Sequence, residues 1–437
     1  MKKRFESWGR YPKERHTVIP VSSRTELPVL QSGQTMLPFG LGRSYGDSCL
    51  NHQNVLLDTG PLSYLLDFDQ QTGLLRCEAG ISLDEILRVF VPRGWFLPVT
   101  PGTRFVTVGG AIANDVHGKN HHCAGAFGQH VLRFGLLRSD NKHLECSPNQ
   151  NSDLFNATIG GMGLTGLITW AEIKLKAIKN PLIDSETVKF TNLKEFFELS
   201  EESEKKYEFS VSWVDCLAKG DSLGRGLFMR GNTNNEIDPL LLKPHRSLSL
   251  TFPFEAPSAL LNNFTIRAFN CAYYGKQRKR EIKKTVHYEP FFYPLDAMLE
   301  WNRMYGKRGF FQWQCVVPYG QGSGAIEEIF KLIADSGKGS FLAVLKTFGD
   351  IPSPGLMSFP RKGVTLALDF PNDGPPTLEL MDRLDQVVCS VKGAIYAAKD
   401  ARMSPKTFRV SYPRAEEFSK FIDPKFSSSF WRRVTRS

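Results

Sequence analysis

The chain has 437 residues, which is too long for one small core and indicates two or more domains. Hydrophobic residues make up 41% of it and aromatic residues 12%, so it can bury large cores and does not have the composition of a disordered protein. The formal net charge of +10 permits an anionic partner, but the excess is concentrated in Gln277–Lys284 and in the tail Trp431–Arg436, and ordinary solvated basic segments would explain it equally well.

The eight cysteines are scattered, with no Cys-x-x-Cys pair, which argues against a zinc site or a disulfide scaffold and fits a reducing compartment. The basic N-terminal stretch has no apolar segment behind it, so it does not have the pattern of a secretory signal. No run approaches the roughly 20 apolar residues that span a bilayer. We therefore expect a cytoplasmic protein, and peripheral contact with the inner face of a membrane stays open.

A glycine-rich turn lies at Leu37–Asp47 (LPFGLGRSYGD). Its three glycines within seven residues leave backbone N–H groups exposed, and such groups can converge on a phosphate. Taken alone, an ordinary glycine-rich turn is the commoner case. The segment lacks the Lys-Ser/Thr ending of a P-loop and the spacing of a Rossmann fingerprint, so neither of these nucleotide motifs is indicated.

The next segments predict short strands followed by a helix. Val55–Asp58 and Leu74–Glu78 have the composition of strands on either side of the acidic turn Asp67–Gly73. Ser82–Phe90 has the pattern of an amphipathic helix, with a Ser-x-x-Glu capping box at its start. A strand–turn–strand–helix unit that leads into a glycine-rich loop favours an α+β domain over a doubly wound sheet.

The segment Pro101–Gly128 contains six glycines, three histidines and a lysine, without the apolar period of a surface helix. Glycine is costly in regular structure, so this density indicates backbone that passes close to a ligand. His117, His121 and His122 have a spacing that would suit a metal site on a helix, but Gly118 and the lack of a nearby third-ligand motif make that interpretation weak. We interpret the segment as a cradle for a flavin.

Beyond this segment, Val131–Leu137 and His143–Cys146 predict a hairpin, and Leu167–Leu175 predicts an alternating strand. Between them, Leu154–Gly166 (LFNATIGGMGLTG) is a second cluster of glycines.

Three blocks in this order, GLGRSYGD, PGTRFVTVGGAIANDVHGKNHH and ATIGGMGLTGLI, closely resemble the flavin-binding domain of the vanillyl-alcohol-oxidase-like superfamily (PCMH type). Within it, HGKNHH resembles the decaprenylphosphoryl-ribose 2-oxidase family, and the resemblance covers nearly the whole chain. It implies an α+β fold with an FAD-binding domain at residues 1–179 and a substrate domain, an antiparallel sheet with flanking helices, at residues 180–393. Residues 394–437 would return to the FAD-binding domain.

The resemblance implies FAD as the cofactor. Its contacts with the pyrophosphate and ribityl chain fall on Gly40, Leu41, Gly42, Arg43, Ser44, Tyr45, Gly46, Asp47, Gly102, Thr103, Thr107, Val108, Gly109 and Gly110. Its contacts near the isoalloxazine fall on Asn114, Asp115, Val116, His117, Ile168 and Tyr396. Some members of the superfamily attach FAD covalently through a histidine just before the serine of the first loop. Arg43 occupies that position here, so we expect FAD to be bound without a covalent bond.

In the second domain, Asn192 is expected to cap a helix over Leu193–Leu199, and Ala256–Tyr274 predicts another helix. Glu208–Val214, Phe310–Val317 and Phe341–Phe348 predict strands. Gln312 and Gln314 share one face of their strand, and such residues are more often exposed than functional. Lys346 shares a face with apolar neighbours, which is unusual unless the lysine snorkels or meets an anion.

These strands resemble the substrate sheet of the family, which implies a substrate pocket. The pocket would contain Trp213, Tyr305, Gln312, Gln314, Lys346 and Phe348. The family commonly has a flavin-facing cysteine in the segment that matches Gly363–Pro371, whereas this chain has Ala367. Hydride chemistry does not need that cysteine, so its absence bears on covalent inhibition more than on activity. The basic segment Lys276–Lys284 is expected to be a mobile lid or a membrane-facing loop that meets a polyprenyl phosphate.

The implied reaction is oxidation of the 2-hydroxyl of a polyprenylphosphoryl-β-D-ribose to a 2-keto sugar, the first half of an epimerisation to the arabinose donor. Lys399 would polarise or deprotonate the hydroxyl, if its pKa is lowered, and His117 would orient substrate or flavin. A separate short-chain reductase would complete the epimerisation, and quinone or oxygen would accept the electrons. The alternative is an FAD enzyme that acts on a free sugar, alditol or aldonolactone. A nucleic-acid partner is not indicated, because no binding motif accompanies the basic charge.

Overall fold

The computed structural model describes residues 5–241, 245, 249–257, 260–320 and 322–436. The first half of the chain folds into short strands and short helices. They are β1 (Thr17–Pro20), β2 (Met36–Phe39), β3 (Val55–Asp58), β4 (Leu65–Asp69), β5 (Leu74–Glu78), α1 (Leu83–Phe90), β6 (Trp95–Phe96), α2 (Val108–Ala113), α3 (His121–Ala124), β7 (Val131–Leu137), β8 (His143–Cys146), α4 (Ser152–Thr158), β9 (Leu167–Lys174) and β10 (Lys176–Ala177).

Two sheets organise this half. A parallel sheet has the order β1-β3-β2, and an antiparallel sheet has the order β4-β5-β9-β7-β8. Helix α1 begins as its sequence predicts, because the Ser82 hydroxyl accepts from Glu85 N–H and the Glu85 carboxylate accepts from Ser82 N–H. Its residues Leu83, Ile86, Leu87 and Phe90 are buried in the core beside the five-stranded sheet. The predicted hairpin over β7 and β8 is confirmed.

The second half has longer strands and helices. They are β11 (Leu182–Phe190), α5 (Leu193–Glu204), β12 (Phe209–Val214), β13 (Gly226–Thr233), β14 (Leu250–Thr251), α6 (Asn263–Gly275), β15 (Glu281–His287), α7 (Tyr288–Phe292), β16 (Met298–Leu299), β17 (Phe310–Val317), α8 (Gly322–Ser336), β18 (Ala343–Phe348), β19 (Gly363–Pro371), α9 (Pro375–Ser390), β20 (Ala394–Ile395), α10 (Pro405–Ser411), α11 (Ala415–Ser419) and α12 (Ser429–Val434).

An antiparallel sheet of eight strands dominates this half, in the order β15-β11-β13-β12-β18-β19-β17-β20. Helices α8 and α9 pack against one face of it and bury a large apolar core that includes Trp313, Phe330 and Leu384. Because side chains alternate along a strand, the other face is free to carry polar groups at every second residue. The predicted α+β class, with its antiparallel substrate sheet and flanking helices, is confirmed.

Two expectations for the second half were wrong in part. The helix predicted over Ala256–Tyr274 begins only at Asn263, where the Asn262 side chain caps it, and residues 258–259 lie outside the described part. The basic segment Lys276–Lys284 is not a lid, because its C-terminal half enters the edge strand β15. Lys283 pairs with Glu186 on the neighbouring strand β11, and this pairing across strands overrides the loop-like composition.

The C-terminal segment contacts both halves. Strand β20 pairs with β17, the Met36 N–H donates to the Lys425 carbonyl, and Phe426 joins the core of the parallel sheet. Arg433 in the basic tail forms ion pairs with Asp47 and Asp400 at 2.7 and 2.8 Å, so this charge neutralises buried carboxylates. The boundaries 1–179, 180–393 and 394–437 stay a prediction. No helix in the described ranges is long and apolar enough to cross a membrane.

Candidate active site

A cavity of about 400 Å³ lies where the loops of the first half meet the polar face of the eight-stranded sheet. Its walls come from the first glycine-rich turn, from the central segment that contains α2, and from the second glycine cluster. The sheet contributes side chains from β12, β17, β18 and β19, and the segment after β20 closes the cavity. The volume is in the range typical of small-molecule sites.

Most of the residues predicted to bind FAD line this cavity. They are Gly40, Leu41, Gly42, Arg43, Ser44, Tyr45, Gly102, Thr103, Thr107, Gly109, Gly110, Asn114, Val116, His117, Ile168 and Tyr396. The three glycine-containing blocks, which are far apart in the chain, therefore border one space.

Four predicted residues lie outside the cavity wall. Val108 is fully buried in the apolar core, and Gly46 packs so closely on Asp400 that a Cβ would lie 1.8 Å from its carbonyl oxygen. The carboxylate of Asp47 is bound by Arg433. Asp115 accepts from Gly128 N–H and from the Ser358 hydroxyl. These residues shape the loops and do not face the cavity.

The cavity wall has properties that fit FAD. Gly102 borders the cavity, and a Cβ added there would have no protein atom within 4 Å. Arg43 Nε and Ser48 Oγ are buried at the wall without a hydrogen-bond partner in the described part of the chain. Unpaired buried polar atoms are costly, so a ligand that offers acceptors, as a diphosphate and a ribityl chain do, would complete the site. Arg43 also stacks on Trp8, with the guanidinium carbon 3.9 Å from the ring centroid.

The register of the large sheet brings the predicted substrate residues together. Gln312 lies opposite Asp369, and Gln314 lies opposite Ala367, across β17 and β19. Lys346 lies opposite Thr365 across β18 and β19. Gln312, Gln314, Lys346, Thr365 and Ala367 all line the cavity, together with Trp213 from β12. Tyr305 and Phe348 do not line it: Tyr305 stacks on Phe310, and Phe348 packs edge-on against His117.

His117 is held by two side chains of this face. Lys346 Nζ lies 2.8 Å from His117 Nδ1, and the amide of Gln314 lies 3.0 Å from His117 Nε2. Burial lowers the pKa of His117 well below its usual value, with the positive charges of Lys346, His121 and Lys399 as further causes. The ring is therefore neutral near pH 7. The same Gln314 nitrogen also donates to Thr365 Oγ1 at 3.1 Å, so the amide that contacts His117 is itself held by strand β19.

His121 and His122 do not join His117 in a cluster of ligands within the described ranges. His122 Nε2 lies 2.8 Å from the carbonyl oxygen of Tyr207. His121 packs on the Phe348 ring with a centroid distance of 4.5 Å, and burial lowers its pKa to about 3. These two histidines support the loop that carries His117.

Three lysines line the cavity with lowered pKa values. Burial lowers the pKa of Lys119, Lys346 and Lys399 to about 7 in each case. The nearby charges of Lys119 and Lys399 lower the pKa of Lys346 further. For Lys399, the carboxyl group of Asp369 acts in the opposite direction and raises the pKa. Each lysine can therefore exchange a proton near neutral pH.

Lys399 lies beside the first glycine-rich turn. Its Nζ is 3.9 Å from the centroid of the Tyr45 ring, so the ammonium form is stabilised by the face of this aromatic ring. Tyr45 is buried and packs edge-on against Phe310, which fixes the ring. The contact places a group that can exchange a proton at the junction of the glycine-rich wall and the polar sheet face.

The sequence analysis did not identify Asp369 as a site residue. Its side chain is fully buried, and burial raises its pKa to about 7. Oδ1 accepts from Gln312 Nε2 at 2.6 Å, and Oδ2 has no hydrogen-bond partner in the described part of the chain. The available signal was strand alternation, since Asp369 shares a face with Ala367 on β19.

Comparison with known proteins gives an independent result. Residues 29–147 match the family of FAD binding domains. The chain is 36% identical to decaprenylphosphoryl-β-D-ribose oxidase of Mycolicibacterium smegmatis over 459 aligned residues, which cover 99% of this chain and 97% of that protein.

Two further relatives show how the similarity is distributed. The chain is 29% identical to an uncharacterised protein of Streptomyces coelicolor, over 81% of this chain and 100% of that protein. It is 30% identical to Δ(24)-sterol reductase of Rattus norvegicus, but over only 28% of this chain and 23% of that protein. The similarity to the oxidase thus includes the large sheet and its polar face, whereas the similarity to the reductase covers about a quarter of the chain.

Proposed function

We propose, from the premise that this chain belongs to the decaprenylphosphoryl-β-D-ribose oxidase family, that it oxidises the 2-hydroxyl of a polyprenylphosphoryl-β-D-ribose to the 2-keto sugar with FAD as cofactor. The observation that carries the proposal is the meeting of two surfaces in one cavity. One is the glycine-rich wall that fits FAD, and the other is the polar sheet face with Gln312, Gln314 and Lys346. Lys399 lies where the two surfaces join.

Oxidation of a secondary alcohol needs a hydride acceptor and a group that takes the hydroxyl proton. FAD, when bound, supplies the hydride acceptor. Lys399 is our candidate for the proton acceptor, because a pKa of about 7 leaves a large fraction of its amine neutral near physiological pH. A lysine with its ordinary pKa would be protonated there and could not accept the proton.

The other polar residues would orient the sugar. His117 is fixed on both ring nitrogens by Lys346 and Gln314, so its position does not depend on the substrate. Gln312 and Gln314 present amides that can bond the remaining sugar hydroxyls. Trp213 is held by a 3.0 Å hydrogen bond from Nε1 to the Phe341 carbonyl and supplies an apolar wall. Tyr305 and Phe348 would act from behind this layer by supporting it.

We further propose that FAD is bound without a covalent bond. Arg43 occupies the position at which a histidine would attach the flavin. The guanidinium group of Arg43 stacks on the Trp8 ring. Denaturation of the purified yellow protein should release all of the flavin into the supernatant. Flavin that stays with the precipitated chain would contradict this proposal.

Anaerobic reduction of the flavin tests the catalytic assignment. The wild type should bleach with a polyprenylphosphoryl-β-D-ribose, and Lys399→Ala should stay yellow because it lacks the proton acceptor. Equal bleaching of the two proteins would remove Lys399 from the mechanism. A panel with free pentoses, alditols and an aldonolactone discriminates the alternative function, since bleaching by these compounds alone would assign the chain to that activity.

The product and the reduced flavin imply two partners. A 2-keto sugar must be reduced with the opposite facial selectivity to complete an epimerisation, so we propose a short-chain dehydrogenase/reductase for the second half-reaction. Quinone or oxygen would accept the electrons from the protein. The substrate-reduced protein can be mixed with each acceptor in a stopped-flow instrument. The acceptor that reoxidises the flavin faster is the one that the protein uses.

We propose that the protein works at a membrane surface, because exposed apolar side chains lie on elements that also carry, or adjoin, residues of the cavity wall. Strand β14 pairs with β16, next to the cavity residue Trp301, and α6 carries the cavity residue Tyr273. These two elements and the chain around them expose the large apolar side chains Leu250, Phe254, Leu260 and Phe264. A polyprenyl substrate resides in lipid, so an apolar surface on these elements would let the protein take it up from the bilayer.

Liposome sedimentation tests this surface. The double variant Phe254→Ser, Phe264→Ser should lose binding to vesicles that contain phosphatidylglycerol. Val29→Ser is a matched control, because Val29 is 97% exposed but belongs to the other half of the chain. Unchanged binding by the double variant would exclude the surface.

A further inference from the structure

Two of the cavity lysines, the buried Lys346 and the half-buried Lys119, have no anionic partner in the part of the chain that the structure describes. Lys346 Nζ donates to the Gly118 carbonyl at 2.8 Å and contacts His117, which is neutral. Lys119 Nζ donates to the Phe291 carbonyl and lies 4.7 Å from the Phe291 ring centroid. No carboxylate in the described ranges forms a salt bridge with either lysine.

Such an arrangement is costly in the free protein. A buried ammonium group without a counter-ion loses its hydration and gains only weak compensation from carbonyl dipoles and ring faces. The lowered pKa values of both lysines reflect this cost. An anion bound between Lys119 and Lys346 would remove this energetic cost. The two lysines therefore have the properties of an anion-binding site that a ligand completes.

The surroundings of the pair indicate which part of the ligand is anionic. Lys346 lies two residues from Val344, and Val344 lies opposite Trp213 in the sheet register. Trp213 packs on Tyr273 with a centroid distance of 4.6 Å, and Tyr273 stacks on the partly exposed Phe269 of α6. The cations therefore stand between the polar sheet face and an aromatic path that leads to the apolar surface.

This order of environments, polar, cationic and apolar, matches the order of sugar, phosphate and lipid in the substrate. We propose that Lys119 and Lys346 form the subsite for the phosphodiester group of the polyprenyl-phosphate sugar. The inference rests on the proposed function and deepens it. The lysine pair takes over the phosphate-binding role that the sequence suggested for the basic segment Lys276–Lys284. No residue of that segment lines the cavity.

The diphosphate of FAD is a less suitable occupant. The glycine-rich wall that fits it contains its own unpaired donors, Arg43 Nε and Ser48 Oγ. Lys119 belongs to a different part of the site, where its backbone carbonyl accepts from Ser210 N–H beside strand β12 of the large sheet. Its ammonium group lies among the rings of Phe291 and Phe292.

The test compares two substrates, a short-chain farnesylphosphoryl-β-D-ribose and the neutral farnesyl β-D-riboside, by anaerobic flavin reduction. For Lys119→Met, the apparent Kd for the phosphoryl substrate should rise about tenfold or more, as expected for loss of one charge-assisted hydrogen bond. The apparent Kd for the neutral riboside should change much less. Lys119→Arg, which keeps the charge, should recover most of the affinity.

Lys284→Met is the matched control, because Lys284 is exposed on the edge strand β15 and should leave both Kd values unchanged. An unchanged Kd for the phosphoryl substrate in Lys119→Met would overturn the subsite, and equal losses on both substrates would assign Lys119 a merely structural role. Failure of the proposed function is separate: wild-type protein would then bleach with neither farnesyl compound, or with free sugars alone.

Discussion

Gln312 and Asp369 face each other across strands β17 and β19, and Gln312 Nε2 donates a 2.6 Å hydrogen bond to Asp369 Oδ1. This bond fixes a fully buried carboxyl group next to the cavity. Its second oxygen has no hydrogen-bond partner in the described part of the chain. The charge of this carboxyl group raises the pKa of Lys399, the group that we propose to accept the substrate proton.

Asp369→Asn should therefore shift the pH dependence of flavin reduction. Removal of the negative charge lowers the pKa of Lys399, so the neutral amine becomes available at lower pH and the rising limb of the profile moves to lower pH. We expect a shift of about one pH unit, a typical effect of one nearby charge. The measurement is the rate of anaerobic flavin reduction between pH 5 and pH 9.

Asp373→Asn serves as the control for this experiment, because Asp373 is exposed and pairs with Lys338 outside the cavity. Its profile should coincide with that of the wild type. A profile for Asp369→Asn that coincides as well would separate Asp369 from the proton transfer.

Local signals predicted much of the fold. Helix α1 formed where its capping box and apolar period predicted it, because both depend on neighbours within one turn. The glycine-rich blocks predicted a ligand wall, since glycine at such density is costly in regular structure and lets the backbone approach a ligand closely. The edge strand β15 was missed because its pairing depends on Glu186 and β11, which are far away in the sequence. Composition alone cannot reveal such a partner.

The same limit applies to the site. Lys399 and His117 were identified through family resemblance, but the roles of Asp369 and Lys119 follow from tertiary placement. Asp369 becomes a candidate only when Gln312 and Lys399 are seen beside it. Lys119 becomes a candidate only when its place in the cavity wall and the absence of a salt bridge in the described ranges are known. The position of these lysines beside the aromatic path depends on the tertiary structure, so the sequence alone does not reveal it.

Two glycines of the FAD-binding blocks should respond differently to alanine. In Gly46→Ala the new Cβ would lie 1.8 Å from the Asp400 carbonyl oxygen, so the turn must move away from the segment that carries Lys399. We expect this overpacking to lower the free energy of unfolding by about 2–3 kcal/mol. In Gly102→Ala the Cβ meets no protein atom within 4 Å, so stability should stay within about 0.5 kcal/mol of the wild type.

Urea unfolding of FAD-free protein measures both effects, and FAD titration followed by fluorescence measures the cofactor affinity. Gly102→Ala should weaken FAD binding although the apoprotein is as stable as the wild type, because Gly102 is part of the wall that fits FAD. Equal stability of the two variants would contradict the close contact between Gly46 and Asp400.

The basic tail makes a structural prediction. Arg433 bonds Asp47 through two nitrogens and Asp400 through one, and both carboxylates are buried. Arg433→Met should lower the free energy of unfolding by about 3–5 kcal/mol, because it leaves two buried carboxylates without their cation. Arg436→Met changes the same tail at an exposed position and should have little effect. Similar midpoints for both variants in urea would show that the tail is only a solvated basic segment.

The last prediction concerns stability and pH. Burial gives Lys119 a pKa of about 7 in the folded protein, against 10.5 as its ordinary value. Between these two values the unfolded chain binds more protons than the folded one, so the free energy of unfolding rises with pH. Lys119→Met has no such proton, and its increase between pH 7 and pH 9 should be smaller than that of the wild type by about 2 kcal/mol.

Urea unfolding of the FAD-saturated proteins at pH 7, 8 and 9 measures these slopes. Lys284→Met should keep the wild-type slope, because Lys284 is exposed on the edge strand β15. Addition of a phosphodiester substrate at pH 7 should raise the stability of the wild type more than that of Lys119→Met, since only the wild type offers both cations. If the free energy of unfolding of Lys119→Met rises with pH as steeply as that of the wild type, Lys119 is hydrated in the folded protein. The desolvation cost on which its role as an anion site depends would then be absent.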